Sequence, residues 1–305
     1  MIRYIFNRFL QGLLSLLILA VIVFILARAS GNPVDLLLPP DASPADEQHM
    51  IERLGLDRSY LVQFYEYISS ALRGDLGTSI RYERPASDLF MQRLPNSLSL
   101  IGVAFLICIV IAIPLGVIAA THRGTYIDKG ARVIAVVGIA APSFWVSLVL
   151  MQVFAVNLQI LPAARMGGPD HYILPAFSLS FFILAGMARL LRSSMVEILD
   201  SEFVKVARIK GASETVVVWR HCLRNALIPV LTFAGMYIAL LMGGAIVTET
   251  VFAWPGVGRL AYEGIQFRDY PLVQAVVLMK GTLVIAINFV VDILYSYVDP
   301  RIRYG

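Results

Sequence analysis

The sequence predicts an all-α integral membrane protein that crosses the bilayer six times. Hydrophobic residues make up 58% of its 305 residues and charged residues only 15%, and the mean hydropathy is +0.74. Soluble chains carry about 25% charged residues, so this composition excludes a soluble globular protein. The apolar residues form blocks of about 20, the length that a helix needs to cross the hydrocarbon core. Continuous blocks also exclude barrel strands, which would alternate.

The six predicted spans are residues 9–27, 98–120, 133–156, 173–191, 227–251 and 272–291. Several contain proline, which membrane helices tolerate when neighbouring groups bond the freed carbonyls. The first block follows Arg3 and Arg8 and precedes a motif that resembles a signal-peptidase site. It is longer than a usual signal core, so we expect residues 1–28 to stay as the first helix. An outer segment at 29–97 and a five-helix core at 98–299 complete a single domain, 1–305.

Lysine and arginine are distributed unequally between the two sides of the predicted spans. With the N-terminus in the cytoplasm, the inner segments hold fourteen of them, and the two short outer loops hold Arg165, Arg259 and Arg268. Short loops rich in positive charge stay on the cytoplasmic side. The sequence therefore predicts that both termini are cytoplasmic.

The outer segment at 29–97 is too long to be a simple connection. Ser43 and Pro44 are typical of the start of a helix, which Gly55 would end. Asp57 would cap a second helix that ends at Gly74. One face of that helix would carry Leu61, Phe64, Tyr65, Ile68 and Leu72. The pattern fits a lid over helix ends and a docking surface for an extracytoplasmic partner equally well.

The second long connection, residues 192–226, is cytoplasmic in this topology. It predicts a helix over 202–210, a stop at Gly211 and a second helix capped by Ser213. The second helix would place Val216, Trp219 and Leu223 on one face and Arg220, His221, Arg224 and Asn225 on the other. Periodicity alone favours a helix that lies on anionic lipid. The alternative is a helix that inserts into a partner protein.

Sequence motifs for catalysis, nucleotide binding and metal binding are absent. The chain has no G-x-x-x-x-G-K-[ST], H-E-x-x-H or G-x-S-x-G sequence, so we expect no enzyme activity. Two cysteines and four scattered histidines predict no metal site, and a net charge of +4 gives no reason to expect nucleic acid binding. Ionisable residues inside spans are candidates for function. These are Glu249 and Lys280, and Lys280 faces either a polar pathway or another helix.

Two cytoplasmic motifs identify a family resemblance. Residues 206–213 read V-A-R-I-K-G-A-S, and residues 221–229 read H-C-L-R-N-A-L-I-P. They resemble the cytoplasmic loop of permeases in ATP-binding-cassette importers of the dipeptide, oligopeptide and nickel branch. The general permease motif is E-A-A-x-x-x-G followed by I-x-L-P. K-V-A at 205–207 and the distance from Gly211 to Pro229 depart from it in the way that the peptide branch does.

Further motifs extend the resemblance over nearly the whole chain. They are L-G-L-D at 54–57, G-D-L-G at 74–77, R-L-P at 93–95, G-G-A-I-V-T-E at 243–249, W-P-G-V-G at 254–258 and D-P-R-I-R-Y at 299–304. All resemble the B-type permease of such importers. Gly31-Asn32-Pro33 departs from the P-G-D-P of the family, which affects a local turn.

The resemblance implies the type I importer permease fold in a multi-pass protein of the bacterial inner membrane. The implied partners are membrane lipid, a second permease, two ATPase subunits and an extracytoplasmic substrate-binding protein. ATP and magnesium would be held by the ATPase subunits, with no cofactor in this chain. The loop at 202–227 would be the coupling helix. Its implied contact residues are Ala207, Arg208, Lys210, Gly211, Ala212, Ser213, Glu214, Trp219, His221, Arg224 and Asn225.

The resemblance favours peptides as the solute, with glutathione, nickel chelates, opines and sugars as alternatives within the branch. An ion-coupled secondary carrier would need no ATPase and would show coupling carboxylates in its spans. A membrane-anchored docking or sensor protein would move nothing. Co-purifying ATPase chains would exclude the secondary carrier. Water-accessible positions around Lys280 would argue against the docking or sensor protein.

Overall fold

The computed structural model describes residues 2–29, 34, 38, 43–53 and 55–298. Within them, regular structure is helical apart from an isolated bridge between Thr78 and Pro85, which confirms the all-α prediction. Leu54, the turn at 31–33 and the closing motif at 299–304 lie outside the described residues.

The described helices are named here in chain order. They are α1 Ile2–Ala29, α2 Pro44–Arg53, α3 Tyr60–Leu72, α4 Ala86–Thr121, α5 Tyr126–Ala140, α6 Ser143–Leu150, α7 Ile173–Leu199, α8 Glu202–Ile209, α9 Glu214–Val216, α10 Leu223–Val251, α11 Val257–Gln266 and α12 Tyr270–Val298. Met151–Asn157 and Val217–Cys222 are π-helical, and Pro169–Tyr172 is a 3-10 turn.

Four stretches of the described helices are long and apolar enough to cross a membrane, within α1, α4, α7 and α12. Two bent helix pairs bring the number to six if each pair counts as one span. The six predicted spans agree with the larger number.

The third span is broken, whereas the sequence predicted one helix over 133–156. The chain bends by 109° between the segments Tyr126–Ala140 and Ser143–Asn157. Proline disfavours helical backbone in the residue before it, and Ala141 is accordingly extended, with ψ of 125°. Pro142 therefore ends α5 instead of being tolerated inside it. The fifth span also bends, by 56° between residues 237 and 240.

Two predicted helix starts need correction. Helix α4 begins at Ala86, twelve residues before the predicted start at 98, because its first turns are amphipathic. Leu89 and Phe90 are buried, and the residues next to them in the sequence are mostly polar. Ser59, rather than Asp57, occupies the N-cap position of α3. The predicted ends at Gly55 and Gly74 are confirmed, since both glycines have positive φ, 64° and 85°.

The chain forms two compact units, residues 1–95 with 256–305 and residues 96–255. The first helix and the last lie in the same unit. In the first unit α1 packs closely on α12. Methyl groups placed on Gly12 and Gly281 would lie 3.0 Å from Ile285 and 2.2 Å from Leu19. Small residues of this kind let membrane helices approach closely.

A buried carboxylate organises the start of α12. Asp269 is 1% exposed and accepts a hydrogen bond from the Leu272 backbone N–H at 3.2 Å, so it caps the helix. Its other oxygen accepts from Ser79 Oγ at 2.5 Å and from the Arg81 N–H at 3.1 Å. One side chain thus fixes the turn after Gly77 against the α11–α12 connection.

Helix α7 is the centre of the second unit. Two thirds of its most apolar stretch (67%) is buried, against 17% for α1 and α12. Glycines mediate its contacts: a methyl group on Gly138 of α5 would lie 2.5 Å from the Ala185 Cβ, and one on Gly186 would lie 2.7 Å from Phe233 of α10. At both positions a neighbouring side chain already occupies the space that a Cβ would need.

We predict that Gly138→Ala destabilises the protein although alanine is the better helix former by about 1 kcal/mol. The new methyl group has no free space because its neighbour, the Ala185 Cβ, is itself rigid. Overpacking of this kind costs about 1–3 kcal/mol. Gly130→Ala, in the same helix with nothing within 4 Å, is the control and should be neutral or stabilising. Thermal unfolding of the purified protein gives the midpoint of each variant. Adding Ala185→Gly should restore the midpoint of Gly138→Ala. Equal midpoints for Gly138→Ala and Gly130→Ala would contradict the packing explanation.

Candidate coupling and translocation sites

The connection at 192–226 folds as the sequence predicted around one glycine. Helix α8 ends at Ile209, Gly211 has φ of 84°, and Ser213 precedes α9 with extended backbone. From Glu214 onward α9, the π-helical segment and α10 follow without a gap. The connection therefore consists of two helical pieces hinged at Gly211, the second of which continues into a membrane span.

An ion pair crosses the glycine turn. Arg208 donates to Glu214 through Nε at 2.7 Å and through Nη2 at 3.2 Å. These hydrogen bonds raise the pKa of Arg208 further above its ordinary value. Planar bidentate pairs of this kind are geometrically specific, so the pair holds the two helical pieces at a fixed angle.

The second piece packs onto the rest of the chain through residues that the sequence pattern did not single out. The sequence placed Val216, Trp219 and Leu223 on one apolar face, but Val217 and Cys222 are the fully buried residues. Residues 217–222 are π-helical, with more residues per turn than an α-helix. This shifts the inward face, and the predicted apolar residues Val216 and Trp219 are left 39% and 47% exposed.

The exposed apolar surface of this connection extends onto α8, where Ile209 is 84% exposed. We call the group of Phe203, Val206, Ile209, Val216 and Trp219 the loop patch. The remaining predicted contact residues are at least partly exposed as well: Ala207, Arg208, Lys210, Gly211, Ala212, Ser213, Glu214, His221, Arg224 and Asn225. Large apolar side chains beside charged ones on an exposed helical hinge are typical of a protein-binding surface.

A buried ion pair at the start of α5 was not anticipated from the sequence. Asp128 is 1% exposed and accepts from Arg192 of α7 at 2.5 and 2.8 Å. The Gly124 N–H donates to it at 3.0 Å, and Arg132 lies 3.4 Å away. In the sequence Arg192 was only one of several positive charges at the membrane edge, and its partner lies 64 residues away, which no local pattern reveals.

Glu249, a predicted pathway residue, is fully buried in the second unit. Ser97 donates to its carboxylate at 2.6 Å. Its backbone carbonyl accepts from the Trp254 N–H at 2.8 Å, and the indole of that residue donates to the Asn96 carbonyl at 2.9 Å. These bonds join the start of the second predicted span to the end of the fifth. Lys280 is half-buried on α12 of the first unit.

The two bent spans line one cavity of about 370 Å³ in the second unit. It lies at the break beside Pro142 and at the bend before Gly244. Helix ends leave carbonyl and N–H groups without intrahelical partners, and in a membrane such groups occur where they line a cavity. The lining residues are Ile139, Ala140, Ala141, Pro142, Ser143, Leu179, Phe182, Ile183, Leu240, Leu241 and Gly244. The lining has no charged side chain and contains neither Glu249 nor Lys280.

The bent spans, the lined cavity and the exposed helical hinge together define a class of protein, the membrane-spanning component of a transporter. Comparison with known proteins specifies the family. The pattern described as the inner membrane component of binding-protein-dependent transport systems matches residues 112–304, and its N-terminal counterpart matches residues 1–101. The chain belongs to this family, which confirms the resemblance, and it is a permease subunit of an ATP-binding-cassette importer.

Relatives match over the full length of both proteins. The chain is 38% identical to the oligopeptide transport system permease protein AppB of Bacillus subtilis (strain 168) over 319 residues. It is 40% identical over 305 residues to the glutathione transport system permease protein GsiC of Escherichia coli (strain K12) and of Salmonella typhi.

The fold also matches that of a solved transporter. An inward-facing structure of the MetNI methionine ABC transporter gives a TM-score of 0.55 at 19% identity, covering 69% of this chain and 96% of that one. This confirms the predicted type I importer permease fold.

We predict that Asp128→Asn lowers stability by about 2 kcal/mol, since it removes the charge that Arg192 bonds within a largely buried pair. The control is Asp200→Asn. Asp200 pairs with Arg123 at 3.0 Å, but their side chains are 72% and 61% exposed, so the loss should stay within about 0.5 kcal/mol. Thermal unfolding in detergent distinguishes the two; equal losses would contradict a structural role for the buried pair.

Proposed function

We propose that this permease forms half of the membrane pathway of an importer of peptides and is driven by separate ATPase subunits that bind its loop at 202–227. The observation that carries this proposal is the loop patch. Five large apolar side chains stand exposed beside a fixed hinge, and the second half of that hinge is continuous with α10. A partner that moves the loop therefore moves a membrane span.

Rigidity makes the loop suitable for transmitting movement. Helical continuity from Glu214 to Tyr237, where the fifth span bends, and the Arg208–Glu214 pair link the hinge to the first half of that span. Rigid-body rotation of packed elements is a common way to convert nucleotide-driven closure into opening elsewhere. The loop patch with Arg208, Lys210 and Glu214 would contact the ATPase, on which ATP and magnesium would be held.

The proposed assembly contains two similar permeases, two ATPase subunits and an extracytoplasmic binding protein, in an inner membrane with both termini cytoplasmic. The charge asymmetry of the short loops supports this orientation, because it puts the loop patch on the side where ATP is available. No catalytic step is assigned to this chain. Its task is to open and close a path.

The cavity between the two bent spans is the better candidate for the pathway within this chain. Small side chains at Ala140, Ala141, Ser143 and Gly244 leave room for a solute, and the helix break offers backbone groups that can exchange hydrogen bonds with it. Passage requires weak contacts, and a lining without charged side chains provides them. Glu249 and Lys280 remain secondary candidates, and Glu249 has a structural role through Ser97.

The solute that these features support best is a short peptide. The relatives' names specify an oligopeptide system and a glutathione system, and glutathione is itself a tripeptide. A peptide presents amide groups that can form hydrogen bonds with backbone groups at a helix break.

We predict that Gly211→Leu leaves membrane insertion and ATP hydrolysis intact but largely abolishes uptake. A leucine in the left-handed region costs about 1–2 kcal/mol, so the hinge changes its angle. Gly74→Leu is the control, because Gly74 has nearly the same φ, 85° against 84°, and both glycines have open space around them. Uptake and ATPase activity are measured in reconstituted vesicles. Normal uptake in Gly211→Leu would sink the coupling assignment.

We also predict that Ile209→Asp weakens retention of the ATPase subunits by about tenfold, equivalent to about 1.4 kcal/mol, since it places a charge in the loop patch. Ile160→Asp is the control: Ile160 is 65% exposed in a loop after the π-helical segment, away from the connection at 202–227. Quantitative co-purification with the tagged chain compares the variants, and equal retention would show that the loop patch is not the contact.

A further inference from the structure

Helix α3 presents three different faces. At about 100° per residue, positions 61, 65 and 72 lie within about 40° of one another. Position 66 lies about 140° around the helix from position 61, and positions 63, 64 and 67 occupy the third side. The first face is apolar. The second carries Glu66 and continues to Arg73. The third packs against α1.

The packing face attaches α3 to the end of α1. The ring of Phe64 meets Phe24 edge-on with centroids 5.3 Å apart, and Tyr67 lies 6.0 Å from the same ring. Arg28 Nε donates to Gln63 Oε1 at 2.8 Å. Aromatic packing and a buried amide thus join the two helices at the last turns of α1.

This attachment fixes the depth of α3 in the membrane. Phe24 lies near the end of the apolar run at 9–27, whose neighbours Ile22 and Ile25 are 48% and 57% exposed, as expected for lipid-facing residues. Packed helices have axes about 8–10 Å apart. Helix α3 therefore lies beside the level at which hydrocarbon gives way to headgroups.

Most of the apolar face of α3 is uncovered, although Ile68 on that face is half-buried. Leu61, Tyr65 and Leu72 are 83%, 73% and 84% exposed. In contrast, the polar face forms its own contacts, including the ion pair between Arg58 and Glu66. A helix with one apolar and one charged face at this depth has the properties of an interfacial helix, and tyrosine is enriched at that level.

We propose that α3 lies in the membrane interface at the C-terminal end of α1, with Leu61, Tyr65 and Leu72 inserted between phospholipid acyl chains. In the orientation proposed above this is the outer leaflet. The helix then forms a lipid-anchored support for the segment before α4. A soluble protein docked on the same face is the competing explanation, and the depth inferred from the packing on α1 favours lipid.

Site-directed spin labelling tests this in the chain purified with its accompanying subunits and placed in lipid nanodiscs. Labels are attached to Leu61→Cys and Leu72→Cys, with Glu66→Cys as the control on the polar face. The buried Cys108 and Cys222 are first replaced by alanine. Insertion predicts a severalfold higher ratio of oxygen to nickel-chelate accessibility at 61 and 72 than at 66. Equal ratios at the three positions would overturn the proposal.

A second measurement avoids the label. Tyr65→Trp should be quenched by phospholipids brominated on the acyl chains, whereas Glu66→Trp should not, after the native emission is subtracted. Quenching at neither position would place the apolar face in water or under protein and would contradict insertion. Because this result depends on depth alone, it stands or fails independently of the coupling assignment.

Discussion

The close approach of helices around α7 is the constraint on which the second unit depends. Lipid chains are as apolar as the side chains that face them, so membrane helices gain association chiefly through tight packing and through polar contacts at their ends. Gly138 and Gly186 provide the tight packing against Ala185 and Phe233, and Gly116 does the same for α4, where a methyl group would lie 2.9 Å from Leu191. The Asp128–Arg192 pair adds a polar contact at the end of the α5–α7 packing.

The connection at 192–226 is built on the same packing. It leaves α7 and returns into α10, and these two helices make the most extensive helix–helix contact in the described part of the chain. A force applied at the Gly211 hinge therefore acts on a packed pair of spans. The cavity at the helix break borders both helices, through Leu179 and Gly244. In the proposed mechanism, hinge and cavity are two parts of one mechanical element that links the ATPase subunits to the path of the solute.

The sequence predicted much of this arrangement because its signals are local. Apolar blocks define the spans, and Gly211 and Ser213 define the hinge. What it could not predict depends on tertiary structure or on backbone irregularity. Pro142 is compatible with a kink or a break, and only packing decides which. The π-helical segment at 217–222 turns Val217 and Cys222 inward, which an α-helical pattern does not reveal, and the partner of Asp128 is far away in the chain. The apolar face of α3 was visible in the sequence, although its exposure was not.

The central claim is that this permease works only together with ATPase subunits. The most direct measurement is gentle purification of the tagged chain from its native cell, with mass spectrometry of everything that elutes with it. We expect a second, similar permease and ATPase chains in a fixed ratio. If the chain instead elutes alone and still supports uptake after reconstitution, the solute is carried without ATPase partners, and the protein is an ion-coupled carrier rather than half of an ATP-driven importer.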